Sequence, residues 1–374
     1  MRTKYRVLIL GASYGSLLGT KLLLAGHAVT LVCTRATAEL INRVGTLVRL
    51  PVRGRNTPLA IRSQVVGAEL SARTPDAVDP RGFDLAVFAM QEFHYAADGV
   101  RQLMQRLAGA RVPCLAIMNM PPLPFLQRIP GLATGELSSC YADPGVWDGF
   151  EPGRVTLASP DPQAFRPPGE GKNVLQVGLP TNFKAAPFAA EAHTAILRGL
   201  QADIEAIRFD PGDGAIELPV KRKTHDSLFV PLAKWPMLLA GNYRCIRRDR
   251  MMSIHEAVHA DIGVSREIYA WVANICRRLG AADADLVPFE KYAQAAAGLG
   301  KPSSAARSLF DGAAHIERVD LLLQHIARQQ GLRYEPLDEI VARVDHRLKV
   351  NRAGSAKVQE IGRASAVSPA AVSP

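Results

Sequence analysis

The chain has 374 residues, 48% of them hydrophobic and 21% charged, with a formal net charge of +10 at neutral pH. That composition is ordinary for a globular protein, and the length calls for more than one core. No apolar run reaches the ~18–20 residues that cross a bilayer, so no membrane partner is expected. The basic residues are spread along the chain and come with no DNA- or RNA-binding motif. The charge therefore suits a small anionic molecule, and nucleic acid is not expected as a partner. The five cysteines (Cys33, Cys114, Cys140, Cys245 and Cys276) are scattered and form no CxxC pair. This argues against a disulfide framework and against a cysteine zinc site. The apolar stretch after MRTKYR meets a glycine at once and offers no cleavage site, so a cytoplasmic location is expected.

In chain order, Tyr5–Leu10 predicts a buried parallel strand, Gly15–Ala25 a helix stopped by Gly26, and Ala28–Cys33 a second strand. Asp84–Met90 and Pro113–Met118 read as further buried strands, with a helix over Ala97–Leu107 between them. Strand and helix alternating in this way imply an α/β fold: an N-terminal Rossmann-type doubly wound parallel sheet. Residues 130–185 are rich in Pro and Gly and hold short strand-like pieces, RVTLAS and NVLQVGL. An amphipathic helix follows at Ala189–Ile207. Helical patterns then dominate, at Ser265–Leu279, Ala313–Gln330 and Leu337–Leu348, which predicts a mainly α-helical C-terminal domain. The expected organisation is a nucleotide-binding domain over 1–215, a helical substrate or dimerisation domain over 216–350, and a disordered tail over 351–374.

The strongest chemical signal is VLILGASYGSLLGTKLLLAGHAVTLVCTR. A strand runs into a small-residue turn and a helix opens beyond it. The helix start offers unpaired N–H groups and a positive dipole end, which suit a pyrophosphate. Gly11, Ala12, Ser13, Tyr14, Gly15 and Ser16 are the candidate cradle. Gly11 would make the sharp turn, Gly15 would let phosphates approach, and Gly19 would let the helix pack closely on the sheet. The pattern departs from GxGxxG, since Ser13 stands where the middle glycine belongs. Arg35 follows the second strand, 24 residues after Gly11, where an acidic residue would hold a ribose diol. A guanidinium there suits a 2′-phosphate, so NADPH is the expected cofactor.

Four segments resemble the ketopantoate reductase (2-dehydropantoate 2-reductase) family. They are LILGASYGSLLGTKLLLAGHAVTLV, DLAVFAMQEFHYAADGV, NMPPLP and KPSSAARSLFDGAAHIERVDLLLQHIARQQGL. The resemblance implies hydride transfer from NADPH to the carbonyl of a 2-oxo acid, with Met90, Gln91 and Asn119 beside the cofactor. It also implies a small anionic carbonyl substrate held by Ser303, Ser304, His315 and Glu317, and it leaves a homodimer open. The family's catalytic lysine, between a tryptophan and an asparagine, has no match in LAKWPMLLAGN. Counting from Trp235 gives Met237, and counting back from Asn242 gives Leu238. The lysine after the family's fourth strand is Gln91 here, its glycine after Asn119 is Met120, and its substrate glutamate falls on His315.

A carbonyl reductase needs a proton donor within about 3 Å of the carbonyl oxygen. Lys234 and His225, with Asn242, are the candidate catalytic residues. His225 also suits an opine-dehydrogenase-like imine reduction, whose neighbouring family relays a proton through histidine. A non-catalytic NADP(H)-binding protein is the third reading. His255-Glu256-Ala257-Val258-His259 spells HExxH, a zinc-hydrolase signature, but only Glu267 follows at short range as a third ligand. Two exposed histidines on a helix, with no metal, are expected there. Arg244, Arg247, Arg248 and Arg250 are read as carboxylate or phosphate ligands, as solvated charges, or as subunit contacts.

Overall fold

A computed structural model describes residues 3–366, the last twelve of them by backbone alone. It divides into two compact units, Met1–Lys234 with Cys276–Leu286, and Trp235–Ile275 with the residues from Val287 onward. The expected boundary at residue 215 thus moves to 234, and the first unit takes back a later segment. The shift has a plain cause: residues 216–234 complete the sheet of the first unit rather than opening the helical one.

The first unit opens with β1 (Arg6–Leu10), α1 (Gly15–Leu24), β2 (Ala28–Val32), α2 (Arg35–Val44), β3 (Leu47–Leu50), β4 (Leu59–Arg62), β5 (Leu70–Arg73) and β6 (Leu85–Phe88). It continues with α3 (Asp98–Ala110), β7 (Cys114–Ile117), α4 (Leu123–Leu126), β8 (Val155–Ser159), β9 (Gln163–Phe165), β10 (Val174–Leu179), β11 (Phe183–Ala185), α5 (Glu191–Glu205) and β12 (Arg222–Thr224). The main sheet has the order β12-β11-β8-β7-β6-β1-β2-β5. Neighbours are parallel except for β11 against β8, where the direction reverses. Val7, Leu8, Ile9 and Leu10 are all fully buried, so both faces of the sheet are covered, as the unbroken apolar run of β1 requires. A second sheet, β4-β3-β10-β9, pairs β3 with β10 in parallel through Val174 opposite Leu47.

One polar anchor crosses this core. Lys21 on α1 is buried, and its ammonium donates to the carbonyls of Leu218 and Pro219 at 3.4 and 2.9 Å. The next residue, Val220, is buried with φ +61°, a conformation that β-branched side chains resist. Lys21 thus ties α1 to the strained lead-in of β12.

In the second unit a short helix α6 (Lys234–Met237), which begins at the last residue of the first unit, runs on into a π-type turn over Leu238–Asn242. Then come α7 (Ile254–His259), α8 (Ile262–Leu279, whose last turn belongs to the first unit), α9 (Phe289–Ala296), α10 (Ser304–Phe310), α11 (Val319–Gln329) and α12 (Glu335–Ala366). The helix expected from Ala313 begins only at Val319. Arg318, with φ −108° and ψ 53°, interrupts it, and its guanidinium pairs with the fully buried Asp320 at 3.0 Å and with Asp345 at 2.7 Å. α12 runs to Ala366, and within it Asn351 and Arg352 donate side-chain hydrogen bonds to carbonyls of Leu309, Ala313 and Ala314. The remainder of the expected tail lies outside the described residues. No described helix is long and apolar enough to cross a membrane.

Candidate active site

The glycine turn sits at the carboxyl ends of the parallel strands, where ligands of open α/β sheets bind. Gly11 has φ +108°, and a Cβ there would lie 2.7 Å from the Ala89 carbonyl oxygen and 2.6 Å from Met90 Cγ. Only glycine lets the end of β1 press against the end of β6. A Cβ on Gly15 would come within 2.5 Å of Ile9 Cγ2, whereas at Gly19 nothing is nearer than 3.5 Å. Close packing of helix on strand therefore belongs to Gly15, and the role expected of Gly19 is corrected. The Ser16 hydroxyl turns inward to the carbonyls of Ala12 and Ser13, at 2.5 and 2.8 Å. Among the described residues the N–H groups of Ala12, Ser13, Tyr14 and Gly15 donate to nothing. A pyrophosphate placed at this turn would meet four free donors at a helix start, so the residues fit a dinucleotide.

Tyr14 links this turn to a second cluster. Its hydroxyl donates to the Pro162 carbonyl at 2.7 Å, just beyond the end of β8. Next to it the Asp161 carboxylate accepts from Lys234 Nζ at 3.1 Å and from the Ser159 hydroxyl at 3.0 Å. Lys184 Nζ lies 3.5 Å from its other side. The Asp161 side chain is only 13% exposed. Burial pushes its carboxyl upward, but the Lys234 and Lys184 ammonium groups and the hydrogen bonds from Lys234 and Ser159 more than reverse this. The net result lies below the usual carboxylate range. Because β11 runs antiparallel to β8, with Lys184 opposite Ser159, the beginning of β11 reaches the same sheet edge that β8 ends on.

His225 follows β12, and its backbone N–H donates to Ala185 at 2.9 Å. Its Nε2 is buried without a hydrogen-bond partner. Burial lowers the imidazole below its ordinary value; Lys184 adds to this, and Asp285 and Asp226 oppose it. Met90 and Gln91 are half-buried at the end of β6, and Met90 N–H donates to the Tyr95 hydroxyl at 3.1 Å. Asn119 is half-buried beyond β7. Arg35 is the exposed first residue of α2.

The remaining candidates lie in the second unit. Ser303 caps α10, accepting from Ala306 N–H at 3.1 Å and donating to the Asn242 carbonyl at 2.7 Å. Its hydroxyl is thus engaged on both sides. Ser304 and His315 are exposed, while Glu317 is buried. The Glu317 carbonyl accepts from the buried Tyr243 hydroxyl at 2.5 Å. In the HExxH stretch, Glu256 completes a capping box with Ser253. His255 and His259 each hold one ring nitrogen 3.1 Å from a carbonyl, of Ala297 and Ala293. The motif is thus used to dock α7. Arg244 is buried against the Ser265 hydroxyl, which separates it from its exposed neighbours Arg248 and Arg250.

No family model and no curated protein matches the sequence. Solved structures do match it. A putative ketopantoate reductase from Ralstonia solanacearum superposes with a TM-score of 0.65 at 14% identity, covering 93% of this chain and 99% of that one. D-mandelate dehydrogenase in ternary complex with NADH and anilino(oxo)acetate gives 0.60 at 12% identity, covering 93% and 99%. A dimeric ketopantoate reductase from Staphylococcus aureus gives 0.60 at 11%, covering 92% and 99%. The fold is that of the ketopantoate reductases.

Within this ketopantoate reductase fold the position of the family lysine stays apolar, Met237 half-buried and Leu238 buried. Sequence reasoning singled out Lys234 but missed Asp161, Lys184 and Ser159. The SPDP stretch that carries Asp161 directly follows a predicted strand, and a carboxylate just past a strand's carboxyl end was the available signal. Nothing comparable marked Lys184, the middle residue of the three-residue β11.

Proposed function

We propose that the protein is an NADPH-dependent reductase of a small 2-oxo acid, with Lys234 as the proton donor. The observation that carries this reading is the Lys234–Asp161 pair at 3.1 Å, tied through Pro162 and Tyr14 to the glycine turn. When bound, the cofactor supplies the hydride. The N–H groups of Ala12, Ser13, Tyr14 and Gly15 would hold its pyrophosphate, and Arg35 its 2′-phosphate, with Met90, Gln91 and Asn119 at the neighbouring strand ends. Asp161 holds the Lys234 ammonium in place so that it can hand a proton to the forming alkoxide. Two ammonium groups on one carboxylate leave the edge with a net positive charge, which suits a substrate carboxylate. His225 is the weaker donor, because its lowered pKa leaves it neutral at pH 7. The NADH named with D-mandelate dehydrogenase supports a nicotinamide cofactor, and the dimeric Staphylococcus aureus neighbour supports a homodimer.

The test follows NADPH oxidation against a panel of 2-oxo acids. Lys234→Met is expected to lower kcat by about 10²–10⁴-fold while NADPH affinity is kept. Wild-type turnover in Lys234→Met, or no oxidation with any 2-oxo acid, would overturn the proposal. Loss of turnover in His225→Ala alone would move the donor to His225 and favour imine reduction.

A further inference from the structure

Asp161 lies in the SPDP loop that joins β8 of the main sheet to β9 of the second sheet. Pro160 and Pro162 have fixed φ angles and no N–H, and each favours an extended conformation in the residue before it. The loop is therefore stiff, and its backbone offers one donor only, at Asp161. Among the described residues no backbone–backbone hydrogen bond reaches Pro160, Asp161 or Pro162. The bond from the Ser159 hydroxyl to Asp161 is internal to the turn of chain. Lys234 and Lys184 reach the carboxylate on flexible four-carbon stems, so they follow it more than they fix it. What seats the loop on another element is the Tyr14 hydroxyl, which donates to the Pro162 carbonyl at 2.7 Å.

Tyr14 immediately precedes α1, in the glycine turn. Its ring meets Phe183 edge to face, with centroids 5.9 Å apart and planes at 89°, and Phe183 is the residue before Lys184. Burial, and then the nearby Asp161 carboxylate, hold the phenol well above its ordinary range, so the hydroxyl keeps its proton and donates. One side chain from the turn thus touches the loop next to Asp161 and the strand next to Lys184. We propose that Tyr14 is a positioning residue for the proton donor: its hydroxyl fixes where the SPDP loop sits and, through Asp161, where the Lys234 ammonium stands relative to a cofactor held at the turn. The inference rests on the proposed reading of Lys234. A stiff loop that loses its seat shifts as one piece, and Asp161 is one residue from the point of release. Proton transfer needs the donor within about 3 Å of the carbonyl oxygen, so a small displacement lowers the rate. Phenylalanine at position 14 keeps the ring on Phe183 and the backbone N–H of the turn, so cofactor affinity is spared.

The experiment is a double-mutant cycle of Tyr14→Phe and Lys234→Met in the full-length protein. It reads kcat for NADPH oxidation with the best substrate among pyruvate, 2-oxoisovalerate and phenylglyoxylate, and the Kd for NADPH by calorimetry. Tyr14→Phe alone is expected to lower kcat about tenfold with the Kd for NADPH unchanged. In the Lys234→Met background the same change is expected to leave the residual kcat as it was, because the group that Tyr14 positions is gone. An equal fall in both backgrounds would overturn the inference, since a general defect of the fold acts with or without the lysine. Wild-type kcat in Tyr14→Phe, or a loss confined to NADPH affinity, would overturn it as well and leave the reading of Lys234 standing. Wild-type turnover in Lys234→Met, or no NADPH oxidation with any of the three acids, would overturn both.

Discussion

At the scale of single residues, the three glycines of the turn look alike in sequence and differ in what surrounds them. Gly15→Ala places a methyl group 2.5 Å from Ile9 Cγ2, in a site with no slack. It is expected to cost about 1–3 kcal/mol by urea unfolding. Gly19→Ala meets its nearest neighbour at 3.5 Å. It removes a helix-interior glycine, so it is expected to leave stability unchanged or raise it by up to about 1 kcal/mol. The reverse order of these two effects would mean that α1 does not bear on β1 at Gly15. The glycine pattern and the helix after it were legible from residue types alone. Which glycine touches the sheet was not, because that depends on the height at which the helix crosses the strand. The same limit applies to Ser303: the Ala306 amide it caps is local to its helix, but only the fold brings the Asn242 carbonyl that takes its hydroxyl proton.

At the scale of elements, Lys21 makes the junction between α1 and β12 depend on pH. Burial lowers its pKa from 10.5 to about 7; Lys221 adds to this and Glu217 opposes it. Between those values the unfolded chain binds more protons than the folded one, so this group makes stability rise with pH across that window. Below about pH 7 its contribution is flat. Lys21→Met keeps the length of the side chain and removes the proton. Unfolding free energies at pH 7 and 9.5 are expected to show wild type gaining about 3 kcal/mol relative to the variant. Parallel pH profiles for the two proteins would mean that Lys21 is solvated when folded. Elements with strong periodicity, β1, β2, β6, β7 and α5, were legible in the sequence because burial alone dictates them. The start of α11 was not, since the Arg318–Asp320–Asp345 network that fixes it joins two helices. Nor was Lys184, whose arrival at the site follows from the reversed direction of β11 and not from any local pattern.

At the scale of the whole molecule, the net charge of +10 has a measurable consequence. A cofactor with an extra phosphate dianion feels that field more strongly than one without it. Raising the ionic strength from 0.05 to about 0.5 M is expected to weaken NADPH binding more than NADH binding, as screening shortens to a few ångströms. Equal salt slopes would show that the charge excess is not focused on the 2′-phosphate. The division into units was legible as a change from strand to helix patterns. Its position was displaced because β12 is three residues long and carries no periodicity to announce it. The tail reads as low-complexity sequence, and the bonds that Asn351 and Arg352 make to carbonyls of Leu309, Ala313 and Ala314 have no local signal in it.

Asp161 is gripped from two sides, and this gives the site a spare part. Removing either lysine leaves the buried carboxylate with a counter-ion, so neither loss alone strands a bare charge in the protein. Lys234→Met is therefore expected to stay folded, so that any loss of turnover in it tests the proposed proton donor and not the fold.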